Sequence, residues 1–159
     1  QVLGAGSGPR LAAELIHRQK LALATSCVFD GRRRASFLYA TAALPPNADS
    51  AKVESELVGQ VERLSLEPLT EAELTRARKT LLLTARLDRQ SVRGRAQALG
   101  SAALTDGDWR AAQSRLARIE TLTAQDVQNV AARVLTGDRR TIVWTAPPLA
   151  PAPTKGARR

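Results

Sequence analysis

The sequence predicts an α+β domain on three observations: an alternating hairpin pattern over residues 23–41, at least four capped amphipathic helices over 50–134, and one short apolar strand at 140–145. At 159 residues, with 43% hydrophobic and 25% charged residues, the chain can bury one core and is too short for two ordinary domains. Aromatic residues make up only 3%, so Leu, Val and Ala must fill that core, and helices are expected to pack closely through small residues.

Pro9 suits the first turn of a helix, where its missing N–H costs nothing, and Leu11, Leu15 and Ile16 mark a short amphipathic stretch to about Gln19. Leu23, Thr25, Cys27 and Phe29 then alternate, Asp30-Gly31 turns the chain, and Phe37, Tyr39 and Thr41 recur at period two in the return strand. Pro45-Pro46-Asn47 ends the hairpin, and Asp49 or Ser50 can cap a helix with Val53, Leu57, Val61 and Leu64 on its apolar face. Thr70 and Glu73 have the spacing of a capping box, opening a helix with Leu74, Ala77 and Leu81 inward that runs to about Asp88. Ser91 starts a segment with Val92, Ala96, Leu99 and Ala103 on one face, loosened at Gly100 and Asp106-Gly107. Trp109, Ala112, Leu116 and Ile119 mark a further helix. Thr123 to Asp126 resembles the cap of the last helix, with Val127, Val130, Ala131 and Val134 facing the core and Gly137 as a stop.

Pro147 and Pro148 break the final strand, and the expected organisation is one domain over residues 1–148 followed by a disordered, basic, proline-rich tail over 149–159. Two strands and a distant third make a poor sheet, which predicts a further strand N-terminal to Gln1. A start at Gln1 without methionine matches a fragment or processed product. No stretch has the apolar length of a membrane span, and no signal peptide opens the chain.

Twenty-four Lys and Arg against fifteen Asp and Glu give a net charge of +9, which raises a nucleic-acid or anionic-surface reading. Arginine dominates that count, no aromatic residues interleave with the basic ones as stacking platforms, and the Arg32-Arg33-Arg34 and Arg139-Arg140 runs flank turns where solvated charge is expected. Gly4, Gly6 and Gly8 precede Pro9 and ask whether they cradle phosphate. A dinucleotide fingerprint needs a strand before the glycines and an acid about twenty residues on, and a P-loop needs Lys-Ser or Lys-Thr after them. Neither is present, and a flexible connector into a helix fits better. Cys27 is the only cysteine and lies in an apolar run, as a buried structural thiol would. His17 is the only histidine, which excludes HExxH and HxxEH zinc motifs within this chain and leaves no triad marked by spacing. Glu71 and Glu73 point to different helix faces and are explained by capping.

The stretch LGAGSGPRLAAELIHRQKLALATS, residues 3–26, resembles the second-half domains of the pitrilysin/insulinase family of zinc metallopeptidases, matching at Leu3-Gly4, Gly6, Arg10-Leu11, Leu15 and Leu21-Ala22. LTEAELTRARKTLL, ALGSAALTDGDW and IETLTAQDVQNVAARVL resemble further family segments in collinear order to about residue 148. The resemblance implies an antiparallel sheet with helices packed on one face, a processing-peptidase-like α+β fold whose first strand and helix this chain lacks. Two or four such domains enclose a chamber in which an extended peptide is held and cut. The family's zinc site belongs to a different, catalytic domain, so the resemblance implies no cofactor in this chain and zinc in a homologous partner domain or subunit.

Active members contribute an arginine and a tyrosine seven residues apart from the second-half domain. Aligned on Arg10-Leu11 and Leu21-Ala22, those positions are Ile16 and Leu23 here, so both polar groups are lost. Removing even one oxyanion donor commonly costs about 10²–10³ in rate. The resemblance therefore implies a non-catalytic domain, with Gly4, Gly6, Gly8, Arg10 and Arg18 as candidate substrate- or chamber-lining residues and no catalytic or metal-binding residue. Its glycine run is similar to a glycine-rich substrate-handling loop of non-catalytic family subunits. Two alternatives stand beside this reading: the C-terminal half of an active zinc metalloendopeptidase whose HxxEH lies upstream of Gln1, and a basic module for nucleic acid or anionic surfaces. Family members occur in bacterial periplasm, cytosol and mitochondria, and the resemblance favours the periplasm.

Overall fold

The computed structural model describes residues 1–4 and 8–145. Pro9 sits at the N-cap of α1, which runs as an α-helix over Arg10–Ala12 and widens into a π-helix over Ala13–Arg18. Strands β1, Ala24–Asp30, and β2, Phe37–Ala43, form an antiparallel pair. Helices α2, Ser50–Leu66, α3, Glu71–Asp88, α4, Val92–Asp106, α5, Ala111–Thr121, and α6, Ala124–Val134, follow, with a 3₁₀ turn at Gly137–Arg139. The predicted class holds: a small antiparallel sheet with helices packed on one face.

Register decides which side of the hairpin the helices cover. Thr25 pairs with Ala42 and Cys27 with Ala40, and Cys27, Ala40 and Ala42 pack on the core. The helix-facing row of β2 is therefore Leu38, Ala40 and Ala42, while Phe37, Tyr39 and Thr41 face away with Val28 and Ser26. Small alanines on the inner row let α2 approach the sheet. The turn is also longer than the sequence predicts: residues 31–36 form a loop in which the Arg32 N–H donates to Ser36 Oγ at 3.2 Å.

The core centres on Leu11 and Leu15 of α1 and Val53 of α2, all fully buried, each contributing about 2 kcal/mol of apolar burial. Leu3, Ala22, Leu64, Leu69, Leu74 and Ala131 complete it. Every expected N-cap that depends on a side chain forms. Asp49 accepts from the Lys52 N–H at 3.1 Å, Ser91 accepts from the Gly94 N–H at 2.9 Å, and Thr70 and Thr123 make full capping boxes with Glu73 and Asp126. Between elements, Arg78 Nη2 donates to the Leu122 carbonyl at 2.6 Å, and Gln128 Nε2 donates to the Ser65 carbonyl at 3.2 Å, satisfying groups that the helix ends leave free.

Three expectations need correction. Val92, Ala96, Leu99 and Ala103 are exposed: α4 packs on α5, and the one buried residue of each helix is a small one, Ala102 and Ala112. The helix also runs unbroken through Gly100 and ends only at Gly107, in the left-handed region at φ 78°. In α6, Val127 and Ala131 turn inward while Val130 and Val134 stay exposed. Residues 140–145 form no strand: Arg140 Nη1 bonds Glu62 Oε1 at 2.6 Å and Trp144 Nε1 bonds Glu54 Oε2 at 2.9 Å, so the segment lies along α2 with no strand beside it. Residues 149–159, the expected tail, lie outside the described residues.

Ala102→Leu is expected to overpack the α4–α5 contact and cost about 1–3 kcal/mol by urea unfolding, while Leu104→Ala on the exposed side of α4 changes stability by less than about 0.5 kcal/mol.

Candidate functional site

The sequence places its candidate residues in the glycine stretch and α1, and one ion pair fixes that region to the helical layer. The Arg10 N–H donates to the Val2 carbonyl at 3.0 Å and the Leu11 N–H to the Leu3 carbonyl at 3.1 Å, which ties Val2 and Leu3 to the start of α1. From its start, Arg10 reaches Glu73 in a two-point contact: Nε to Oε1 at 2.7 Å and Nη2 to Oε2 at 2.9 Å. Glu73 Oε2 also accepts from the Thr70 N–H at 2.9 Å and Thr70 Oγ1 at 3.0 Å. The Arg10 guanidinium, helped by both Thr70 groups and opposed by burial, lowers the Glu73 carboxyl to about 2.

Gly4 lies where β1 crosses it: a Cβ there would sit 2.1 Å from Cys27 N and 2.3 Å from Cys27 Cβ. Only glycine allows that approach. Gly8 is in the left-handed region at φ 79° and packs beside the Arg76 guanidinium. Gly6 lies outside the described residues. A small recess among Val2, Gly8, Pro9, Glu73 and Ala77 continues through Arg76 and Thr80 into a shallow, open depression along α3 that Glu71, Thr75 and Lys79 also line.

Arg18 is directed back along its own helix, donating through Nε to Glu14 Oε2 at 2.6 Å and through Nη2 to Glu14 Oε1, with its side chain largely exposed. The π-helical turn places it there. The Gln19 N–H bonds the Glu14 carbonyl, and the Leu21 and Ala22 N–H groups both bond the Leu15 carbonyl, so the chain swings wide into β1. Ile16 is half-buried against the core, whereas Leu23 is 66% exposed where its N–H pairs with the Ala43 carbonyl at 2.8 Å. The two positions thus differ in setting: one supports the core and the other stands at the root of the hairpin.

Sequence reasoning assigned Glu73 to the cap alone and missed its hold on Arg10, sixty-three residues away, because no periodicity or spacing links them. It also missed the π-helix, which apolar spacing over so short a stretch does not reveal. His17 is exposed, and burial raises the half-buried Cys27 thiol, which disfavours its nucleophilic thiolate. Among the described residues, no group of three His, Cys, Asp or Glu side chains could hold a metal ion, and no helix is long and apolar enough to cross a membrane. Each strand of the hairpin has an edge without a strand partner among the described residues. The arrangement offers backbone edges, apolar surface and guanidinium groups.

The family model described as the Peptidase M16 inactive domain matches residues 1–81. No curated protein matches the chain. Among solved structures, a candidate zinc protease from Bordetella pertussis Tohama I is similar at 26% identity and a TM-score of 0.81, over 91% of this chain and 80% of that one. The inactive peptidase domain of a candidate zinc protease from Bordetella parapertussis is similar at 28% identity and a TM-score of 0.81, over 96% and 82%. A protease from Helicobacter pylori shares the fold at 20% identity and a TM-score of 0.71, over 83% of this chain and 32% of that one.

Glu73→Gln removes the charge from a carboxylate that collects four hydrogen bonds, and should cost about 2–4 kcal/mol in urea unfolding. Because Glu73 has a lowered pKa in the folded state, its contribution is complete above the ordinary value of 4.5 and disappears as pH falls toward 2. The difference between wild type and Glu73→Gln should therefore be constant above about pH 5 and shrink through that window. Gly4→Ala should cost at least about 2 kcal/mol, since β1 must move away from the new methyl group.

Proposed function

Because the chain belongs to the Peptidase M16 inactive-domain family, we propose that it shapes the peptide-binding chamber or the dimer contact for a zinc-bearing partner domain. The observation that carries this reading is the family match over residues 1–81, joined to the lack, among the described residues, of any His, Cys, Asp or Glu group that could hold a metal ion. Ile16 and Leu23 support it further: an aliphatic side chain can neither hold a peptide carbonyl nor steady a developing oxyanion. The partner supplies the metal centre, and this domain supplies a wall.

On this reading the substrate is an extended peptide. Its backbone can pair with a free edge of the hairpin, a mode that takes affinity from main-chain hydrogen bonds and needs few specific side chains. The glycine stretch and the depression along α3 lie on the same reading at the chamber rim, with Gly4, Gly8 and Arg10 fixing its shape and Arg18 directed to solvent.

Two measurements test the proposal. The purified chain should contain no stoichiometric zinc by metal analysis and should leave casein-derived peptides uncut. The tagged protein, isolated from its natural source, should bring with it a polypeptide that mass spectrometry identifies by HxxEH and that carries zinc. Zinc bound one-to-one by this chain together with peptide cleavage would overturn the reading.

A further inference from the structure

We infer that α4 and α5 form a flap that opens as a unit while the rest of the domain stays folded, and that Arg78 and Arg89 are the straps that hold it closed on α3. The core and the residues packed on it come from the α1 segment, the hairpin, α2, the start of α3 and α6, and no residue from 89 to 123 is among them. Instead, α4 packs on α5, and α5 on α4 and α3. Each of the two helices buries one residue, Ala102 in α4 and Ala112 in α5, whereas Val92 and Leu104 are each 75% exposed. So little buried apolar surface leaves the pair at the low end of local stability. Neither helix is strong alone: α4 carries Gly94 and Gly100 in its interior, and α5 has eleven residues and no side-chain hydrogen bond at its N-cap.

What holds the pair is polar and directional. Arg78, and Arg89 at the C-cap of α3, lie on one face of that helix, with the half-buried Leu82 and Ala85 between them at four-three-four spacing. Arg78 Nη2 donates to the Leu122 carbonyl at 2.6 Å, at the end of α5, and Arg89 Nη2 donates to the Ala112 carbonyl at its start. These two bonds fasten α5 antiparallel along α3, one at each end. The exposed Arg86–Glu120 pair, at 3.9 Å, adds little. Within the flap, Arg115 joins α5 to α4 through Asp106 and through Thr105 Oγ1 at 3.0 Å, so the two helices move together. The chain can bend on either side without disturbing the core. Behind the flap, Thr123 opens α6 with its own capping box; ahead of it, the chain turns at Gln90 and Ser91 caps α4 afresh. Gly94 seats the first turn of α4 on the end of α3, where a Cβ would run into the Asp88 carbonyl oxygen, so the closed flap has one fitted position.

Hydrogen exchange of the whole chain, followed by mass spectrometry at rising urea, tests the flap. Relative to their unfolded-chain rates, amides of α4 and α5 should exchange at least about 100-fold faster than those of α2 and α6. Their exchange should also depend little on urea, because opening uncovers little surface. Paired Arg78→Gln and Arg89→Gln should speed exchange in α4 and α5 at least about 10-fold more and leave α2 unchanged. Circular dichroism reports whether the double variant folds, and the wild-type pattern decides the matter where it does not. Protection of α4 and α5 equal to that of α2, with the same urea slope, would show one cooperative unit and overturn the flap. A folded double variant that speeds α5 no more than α2 would overturn the straps.

Discussion

One carboxylate holds two parts of the chain in register. Glu73 closes the first turn of α3 through Thr70 and at the same time clamps Arg10 at the start of α1. The Arg10 and Leu11 N–H groups in turn hold Val2 and Leu3, next to the Gly4 that packs on Cys27, so the ion pair with α3 and the contact with β1 lie at the two ends of one tied segment. The pair is part-buried, with side chains 17% and 20% exposed, and removing either member strands a charge that water reaches poorly. Leu11 and Leu15 then fill the space beneath. Without the clamp, burial of those leucines would still favour collapse, but nothing comparable in direction would orient α1 on the helical layer.

Local chemistry was legible in the sequence, and tertiary choice was not. Asp49, Thr70, Ser91 and Thr123 cap their helices as expected because a cap is decided within four residues. The hairpin was legible for the same reason. Its register was not: which row of β2 faces inward depends on the fit of Ala40 and Ala42 under α2, and the larger Phe37 and Tyr39 gave the stronger alternation while facing outward. In α4, likewise, hydrophobicity pointed to Val92 and Leu99, yet contact went to Ala102, since close helix packing rewards small side chains. Residues 140–145 have strand composition, but a strand is a property of a pair, and the segment rests along α2 with no partner strand.

For the site, the sequence located the region and not its wiring. Gly8 lines the recess beside α3 and Arg10 bonds Glu73 of its lining, while Gly4 packs on Cys27, Arg18 turns back to Glu14, and Ile16 and Leu23 stand in different surroundings. A zinc protease must hold an extended peptide as well as cut it, and these tasks can reside on different domains. Among the described residues no His, Cys, Asp or Glu group could hold a metal ion, while the chain as a whole is strongly basic and Val28, Phe29, Phe37 and Tyr39 of the hairpin are exposed.

The most direct measurement is the rate at which the zinc-bearing partner domain cleaves a fluorogenic peptide as this chain is titrated in. The account predicts a saturable rise, through a lower KM, with the zinc remaining on the partner throughout. A rate independent of this chain at every concentration would contradict it.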